Sequence, residues 1–254
     1  MLEQPIPLSA APEFIKLLAH DLRWHLLKAL TISDQRVQEL VTLVGEPMNL
    51  VSYHLKKLRD DGVVTMRRSE ADGRDVYYSL DMGRLRALYQ AAGAALHPAI
   101  GQGADLPLLL PIISKRVLFV CTHNSARSQM AEGLLRQAAG QQIDVYSAGS
   151  NPTQLHPDAI RTMDALGINI RGQQSKSLGD FESQAFDYVI TVCDRAREIC
   201  PVVPGDSIQI HWGFVDPTKI ADTGERQRAF DQIAQQLTSR IEYFLVSIGE
   251  QSVE

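Results

Sequence analysis

Cysteine is scarce in this chain: 254 residues contain three, and none falls within residues 1–114. So small and odd a count excludes a disulfide framework and leaves free thiols, reactive or merely buried. Long apolar runs are missing as well, none reaching the roughly 20 residues of a membrane span. The start, MLEQPIPLSAAPEF, lacks the basic and apolar regions of a secretion signal, so the expectation is a cytoplasmic protein without membrane association. Positive charge is not in excess: the net charge is −5 at pH 7, with 12 Lys+Arg against 13 Asp+Glu in residues 1–114 and 13 against 17 beyond them. That balance does not suggest a general nucleic-acid binder, and any DNA contact must come from a local basic face. No internal repeat or low-complexity tract is present. What remains is ordinary globular composition, 44% hydrophobic and 22% charged, in a length that suits one large or two modest domains.

The two halves differ in texture. In the first, Phe14, Leu17, Leu18, Leu22, Leu26, Leu27 and Leu30 recur at helical spacing, and Val37, Leu40, Val41 and Val44 continue a second pattern that stops at Gly45. In NLVSYHLKKLRDDG, Leu50, Val51, Leu55 and Leu58 form the expected buried face, leaving Asn49, Ser52, Tyr53, Lys56 and Lys57 to project elsewhere. Gly62 ends that helix. VVTMRR, the polar turn SEADGR with Asp72-Gly73, and DVYYSL then read as a hairpin. Helix followed at once by a hairpin carrying Arg67, Arg68 and Arg74 is the order of a winged helix-turn-helix, in which the helix enters the major groove and wing cations hold phosphates. The alternative is a small helical packing domain with solvated charges.

Over residues 12–90 this stretch resembles the arsenic- and metal-responsive winged-helix repressors. The resemblance implies operator binding as a homodimer, with helices around 13–31 and 82–97 supplying the dimer surface. One departure matters: the arsenic-sensing members carry a cysteine pair or triplet here, and this half has none. His20, His25, His54 and His97 are a poor substitute, because His20 and His25 do not share a helix face. The expected organisation is a winged-helix domain over 1–90, an Ala/Gly/Pro-rich linker over 91–114, and a second domain over 115–254.

That second half alternates β-rich runs, RVLFV (116–120), DVYSAG (144–149), YVITVC (188–193) and IQIHW (208–212), with helical ones. Such alternation predicts a parallel sheet covered on both faces, with ligands at the carboxyl ends of the strands. Cys121 and Cys193 both fall at such ends. Cys121 opens CTHNSARS, a loop leading into a helix. Backbone N–H groups of Thr122, His123, Asn124, Ser125 and Ala126, the helix dipole and the Arg127 guanidinium would bind a tetrahedral anion and favour a thiolate. Ser128 can donate to that thiolate. In VCDRAREICP, Cys193 and Cys200 stand seven residues apart. On a rigid helix that is about 10 Å by helical rise, so a bond between them requires the segment to unwind.

CTHNSARS resembles the anion loop of the low-molecular-weight tyrosine phosphatase fold, and SQMAEG is similar to the continuation in its thioredoxin-coupled arsenate reductase branch. The match covers 115–249. The fold it implies is multidomain: a winged helix-turn-helix followed by an α/β domain with a four-stranded parallel sheet of low-molecular-weight phosphatase type. HWGFVDP (211–217) is similar to the family segment carrying the general acid, which falls on Asp216. Some members hold a monovalent cation near the loop, and Asn124, Glu132 and Ser147 match three of its positions, with Ser177 at a fourth that is acidic elsewhere. His123 and Ala126 stand where the family commonly has Gly and Cys.

The resemblance implies a bifunctional protein that reduces arsenate to arsenite through a Cys121, Cys193, Cys200 relay, with no tightly bound cofactor and thioredoxin as reductant. Two alternatives stand beside it: a transcriptional regulator using the second half as an arsenate or redox sensor, and a tyrosine phosphatase with a DNA-binding arm.

Overall fold

The computed structural model describes residues 10–71, 73–97, 100–101, 115–199 and 206–250. It divides into two compact units, one formed by residues 1–31, 37–66 and 78–106, the other by 32–36, 67–77 and 107–254.

In the first unit, α1 (Glu13–Leu18) and α2 (Asp21–Ile32) bury Phe14, Leu17, Leu22, Leu26, Leu27 and Leu30 along one stripe. After a two-residue strand β1 (Gln35–Arg36), which counts with the second unit, α3 (Val37–Val44) stops where Gly45 adopts φ +70. The left-handed conformation there suits glycine and ends the helix. Helix α4 (Met48–Asp60) follows, then the hairpin of β2 (Val64–Arg68) and β3 (Val76–Leu80), whose residues 67–77 count with the second unit, and helix α5 (Met82–Leu96), capped by Asp81 through the Arg84 N–H. This is the expected winged-helix order. One face is corrected: Leu50 is 37% exposed, and α4 buries Val51, His54, Leu55 and Leu58 instead. Positions 51, 55 and 58 lie on one helical stripe with 54, whereas 50 sits a step off it. Helix α5 runs to Leu96, so the first six residues of the expected linker are helical. Asp72, residues 98–99 and residues 102–114 lie outside the described residues.

The second unit holds a four-stranded parallel sheet, order β5-β4-β6-β7. Its strands are β4 (Lys115–Cys121), β5 (Ile143–Gly149), β6 (Tyr188–Thr191) and β7 (Ile208–His211). Helices α6 (Arg127–Ala139), α7 (Pro157–Ala165), α8 (Asp194–Ile199) and α9 (Thr223–Glu250) alternate with them. β4 is buried from Val117 to Cys121, the continuous apolar run expected of a strand covered on both faces. α9 buries Phe230, Ala234, Leu237, Ile241, Leu245 and Ile248, a three- and four-residue rhythm that lays one face against the core.

The strand order reverses direction at β4, which has β5 on one side and β6 on the other. A crevice opens at the carboxyl ends of strands at such a switch point. The register aligns Cys121 with Gly149 and Val120 with Thr191. The cysteine ending β4 and the one just past β6 therefore emerge at the same end of neighbouring strands.

Candidate active site

Between Cys121 and α6, the loop turns its carbonyls outward. Those of Thr122, His123 and Ser125 accept N–H groups of Asn151, Thr153 and His156 at 2.8–2.9 Å. Inward, the Asn124 N–H donates to Cys121 Sγ at 3.1 Å, and Ser128 Oγ shares a hydrogen bond with the same sulfur at 2.9 Å. Asn124 reaches this position only with φ 45, a left-handed conformation that costs a non-glycine residue energy. Its side chain compensates: Nδ2 donates to Ser128 and Ser147, while Oδ1 accepts from Gln129 and from the Lys176 N–H. Gly149 makes room, since a Cβ there would stand 2.7 Å from Thr122 O. The 13-residue α6 begins at Arg127, directing its positive end at the loop.

Arg127 is 5% exposed. Its Nη1 donates to Phe214 O at 2.7 Å and its Nη2 pairs with Asp216 Oδ2 at 2.9 Å. Burial opposes its charge, yet Cys193, Asp216, Cys121 and Glu70 together hold its pKa above the ordinary value. For Asp216, burial pushes the pKa up, but Arg127 and the hydrogen bonds from Thr218 outweigh it and leave the carboxyl below its ordinary value. The pair is thus held ionised.

Cys193 follows β6 and is buried. Its Sγ lies 3.5 Å from Thr122 Oγ1, on the residue next to Cys121, and receives the Ala196 N–H at 3.4 Å. Burial first, then the neighbouring Cys121, raise its pKa, with Arg127, Thr122 and the Ala196 N–H offsetting only part. Both sulfurs are unbridged; Cys200 lies outside the described residues.

The sequence alone also left two acidic groups unmarked. Asp194, the first residue of α8, pairs with Arg67 at 2.5 Å and with His211 Nε2 at 3.1 Å. Burial would raise its pKa, but His211, Arg67 and the Glu70 N–H hold it well below the ordinary carboxylate value. His211 is itself held neutral by burial, so its Nε2–H donates to Asp194. Glu70 is the other: its Oε1 accepts the Asp216 N–H at 2.9 Å and its Oε2 lies 3.5 Å from Arg127 Nη1. Both belong to the second unit, Glu70 through partners far along the chain, and neither carries a local signal.

Asn124, Glu132 and Ser147 do come together, but they do not fit a monovalent cation. Asn124 presents donor hydrogens to Ser147, and Ser147 donates to Glu132. The Glu132 carboxylate is met by Arg136 at 2.5 Å and by Lys176 Nζ at 3.3 Å. An ammonium already supplies the positive charge at this carboxylate. Among the described residues no cluster of metal-ligating side chains occurs, and no helix is long and apolar enough to cross a membrane.

Of the DNA-contact candidates, Asn49, Ser52, Tyr53, Lys56 and Lys57 are exposed on α4, as are Arg68 and Arg74 on the hairpin. Arg67 is not exposed with them; it is committed to Asp194.

Residues 116–254 match the family Low molecular weight phosphotyrosine protein phosphatase, and residues 20–66 match Bacterial regulatory protein, arsR family. An arsenate reductase of Halalkalibacterium halodurans is 39% identical over 131 residues, 51% of this chain and 94% of that protein. One of Bacillus subtilis is 38% identical over 132 residues, 52% of this chain and 95% of that protein. Among solved structures, an arsenate reductase in the phosphate binding state shares 33% identity at TM-score 0.45, covering 53% of this chain and 98% of its own. The thioredoxin-dependent arsenate reductase of Corynebacterium glutamicum shares 25% identity at TM-score 0.44 and covers 86% of this chain and 96% of its own.

Proposed function

The chain belongs to the low molecular weight phosphotyrosine protein phosphatase family, and within it we propose that this protein reduces arsenate to arsenite, its second half being an arsenate reductase domain and its first an arsR-type DNA-binding regulatory domain. The observation that carries the reading is the second buried thiol beside the anion loop: Thr122 Oγ1 reaches Cys193 Sγ at 3.5 Å. A phosphatase needs the Cys121 loop, Arg127 and Asp216; it has no use for a neighbouring thiol. A reductase does, because arsenate must take up two electrons.

In this reading, arsenate settles over the loop amides and draws Arg127 away from Asp216. Losing its cation and gaining an anionic neighbour raises the Asp216 pKa, so the carboxyl can take up the substrate's proton and hand it to the leaving hydroxide. Cys121 thiolate, steadied by Ser128 and the Asn124 N–H, attacks arsenic, and water departs. Cys193 thiolate then attacks Cys121 Sγ; the sulfur–arsenic pair of electrons stays on arsenic, arsenite leaves, and a Cys121–Cys193 disulfide remains. Cys200 attacks Cys193, restores Cys121 thiolate and leaves Cys193–Cys200 for a dithiol reductant, which we assign to thioredoxin. Each step depends on thiolate fraction and access.

The first half is assigned to operator binding through α4 and the exposed hairpin cations. Exposed Ile15, Trp24, Tyr89 and Leu96 on α1, α2 and α5 support a homodimer surface on those helices. A reducing, cytoplasmic setting follows from the need for free thiols.

The test is NADPH oxidation with thioredoxin, thioredoxin reductase and arsenate, run beside Cys121→Ser. Arsenate-dependent oxidation that disappears in the variant is expected. No oxidation with folded, reduced protein would refute the reductase assignment.

A further inference from the structure

SEADGR, the turn between β2 and β3, reads as a solvated loop, since every residue but Ala71 is polar or glycine. Its first two residues are instead fixed within the second unit. Ser69 is buried and donates to Glu198 Oε1 at 2.6 Å, and the Glu70 N–H donates to Asp194 Oδ2 at 2.8 Å. Arg67, just before them, lies so close over Gly213 that a Cβ there would fall 1.4 Å from Arg67 Nη2. Only glycine is compatible with that approach.

Held this way, Glu70 reaches the anion site. It accepts the Asp216 N–H through Oε1 and faces Arg127 through Oε2. Arg127 carries the positive charge that an incoming oxyanion needs, and two carboxylates already share it. Asp216 has a task in proton transfer. Glu70, at 21% side-chain exposure, has no such task in the proposed mechanism.

We infer that Glu70 sets the affinity of the oxyanion site: it is a built-in carboxylate that competes with the bound anion for Arg127 and must give way when that anion enters. The inference rests on the Cys121 loop being an oxyanion site, and not on the thiol relay. Repulsion grows with the product of the charges, so Glu70 opposes a dianion more than a monoanion of the same shape. It acts on binding rather than on the bond-making steps, making it a specificity-determining residue and not a catalytic one.

The experiment uses the full chain carrying Cys121→Ser, with and without Glu70→Gln. Glutamine keeps an acceptor for the Asp216 N–H and removes only the charge. Each protein is titrated calorimetrically at one pH with sulfate, a tetrahedral dianion, and with perchlorate, a tetrahedral monoanion. Glu70→Gln should tighten sulfate about tenfold and perchlorate about threefold, the order expected when one like charge is removed near a partly screened site. With Cys121 intact, KM for arsenate should fall in parallel while kcat holds. Unchanged or weaker sulfate binding overturns the inference, as does an equal gain for the two anions or a complete lack of sulfate binding in both proteins. Should Glu70→Gln not fold, Glu70→Ala is expected to tighten sulfate likewise, and failure to do so counts equally against it. If sulfate binds as expected but arsenate is never turned over, the reductase reading fails and the role of Glu70 stands.

Discussion

Arg127 and Asp216 form an ion pair, Nη2 to Oδ2 at 2.9 Å, inside the site where both are to act. The pair holds both residues charged, and on the proposed mechanism it breaks as the oxyanion enters. Asp216→Asn removes the proton carrier while keeping the shape, and kcat should fall by about 10²–10⁴-fold, the usual worth of a general acid. KM should change much less. Steady-state kinetics of the two proteins decide it, and a kcat within a few fold of wild type would remove Asp216 from proton transfer.

The same pair ties stability to pH. The folded-state pKa of Asp216 lies below its ordinary 3.8, so its contribution is complete above that value and is lost as pH falls through the lower folded one. Urea unfolding should therefore show Asp216→Asn losing stability against wild type at neutral pH, with the gap closing in acid.

Cys193 has a raised pKa, so at neutral pH it is mostly thiol and its attack waits on deprotonation. In Cys200→Ser protein, the single-turnover rate of arsenite release should climb with pH from about 7 to beyond 9, near tenfold per unit while the thiol remains protonated. Rapid-quench measurements test this. A plateau well below the ordinary thiol range would mean that Cys193 is already ionised.

Asp194 sits between Arg67 and His211 with its side chain 1% exposed. Asp194→Ala leaves the Arg67 charge without its closest partner and should cost about 3–5 kcal/mol, as breaking a buried pair does. Adding Arg67→Met should recover part of that loss by removing the stranded charge. Urea titrations of the two single variants and the double variant close the cycle; strictly additive losses would show that the two residues are not coupled.

Lys176 stands 3.3 Å from Glu132 beside the anion loop, so arsenate KM should be the same in potassium and sodium salts. Lys176→Met removes the fixed ammonium. The variant should bind arsenate more weakly and regain affinity as potassium is added. A potassium requirement in the unaltered protein would contradict the fit of Lys176 to this place.

What the sequence reveals here follows how far each feature reaches along the chain. The anion loop is legible because strand, loop, Arg127, Ser128 and helix are contiguous, so the strand before and the helix after, taken with the spacing, place the sulfur, the guanidinium and the helix terminus. Cys193 is legible as a thiol at the end of an apolar run, and the parallel sheet follows from alternating periods. Leu50 was misplaced because an apolar residue one step from a helical stripe looks like part of it, while His54 takes the buried position. Glu70, Asp194 and Lys176 escaped because their roles exist only through partners far off in sequence: Glu70 lies 146 residues from the Asp216 whose N–H it accepts. A polar turn carries no mark of what it will lie against.

The register of the sheet sets the terms for the chemistry. Neighbouring parallel strands stand about 4.8 Å apart, and β4 and β6 are such neighbours, so the first two sulfurs are brought together by the backbone ladder that forms the core. Swapping sulfur for oxygen at Cys193 leaves that ladder untouched. In Cys193→Ser, the loop, Arg127 and Asp216 all remain, but the proposed adduct on Cys121 loses the sulfur nucleophile beside it, and attack by water competes in its place. On this scaffold a hydrolase and a reductase stand one atom apart.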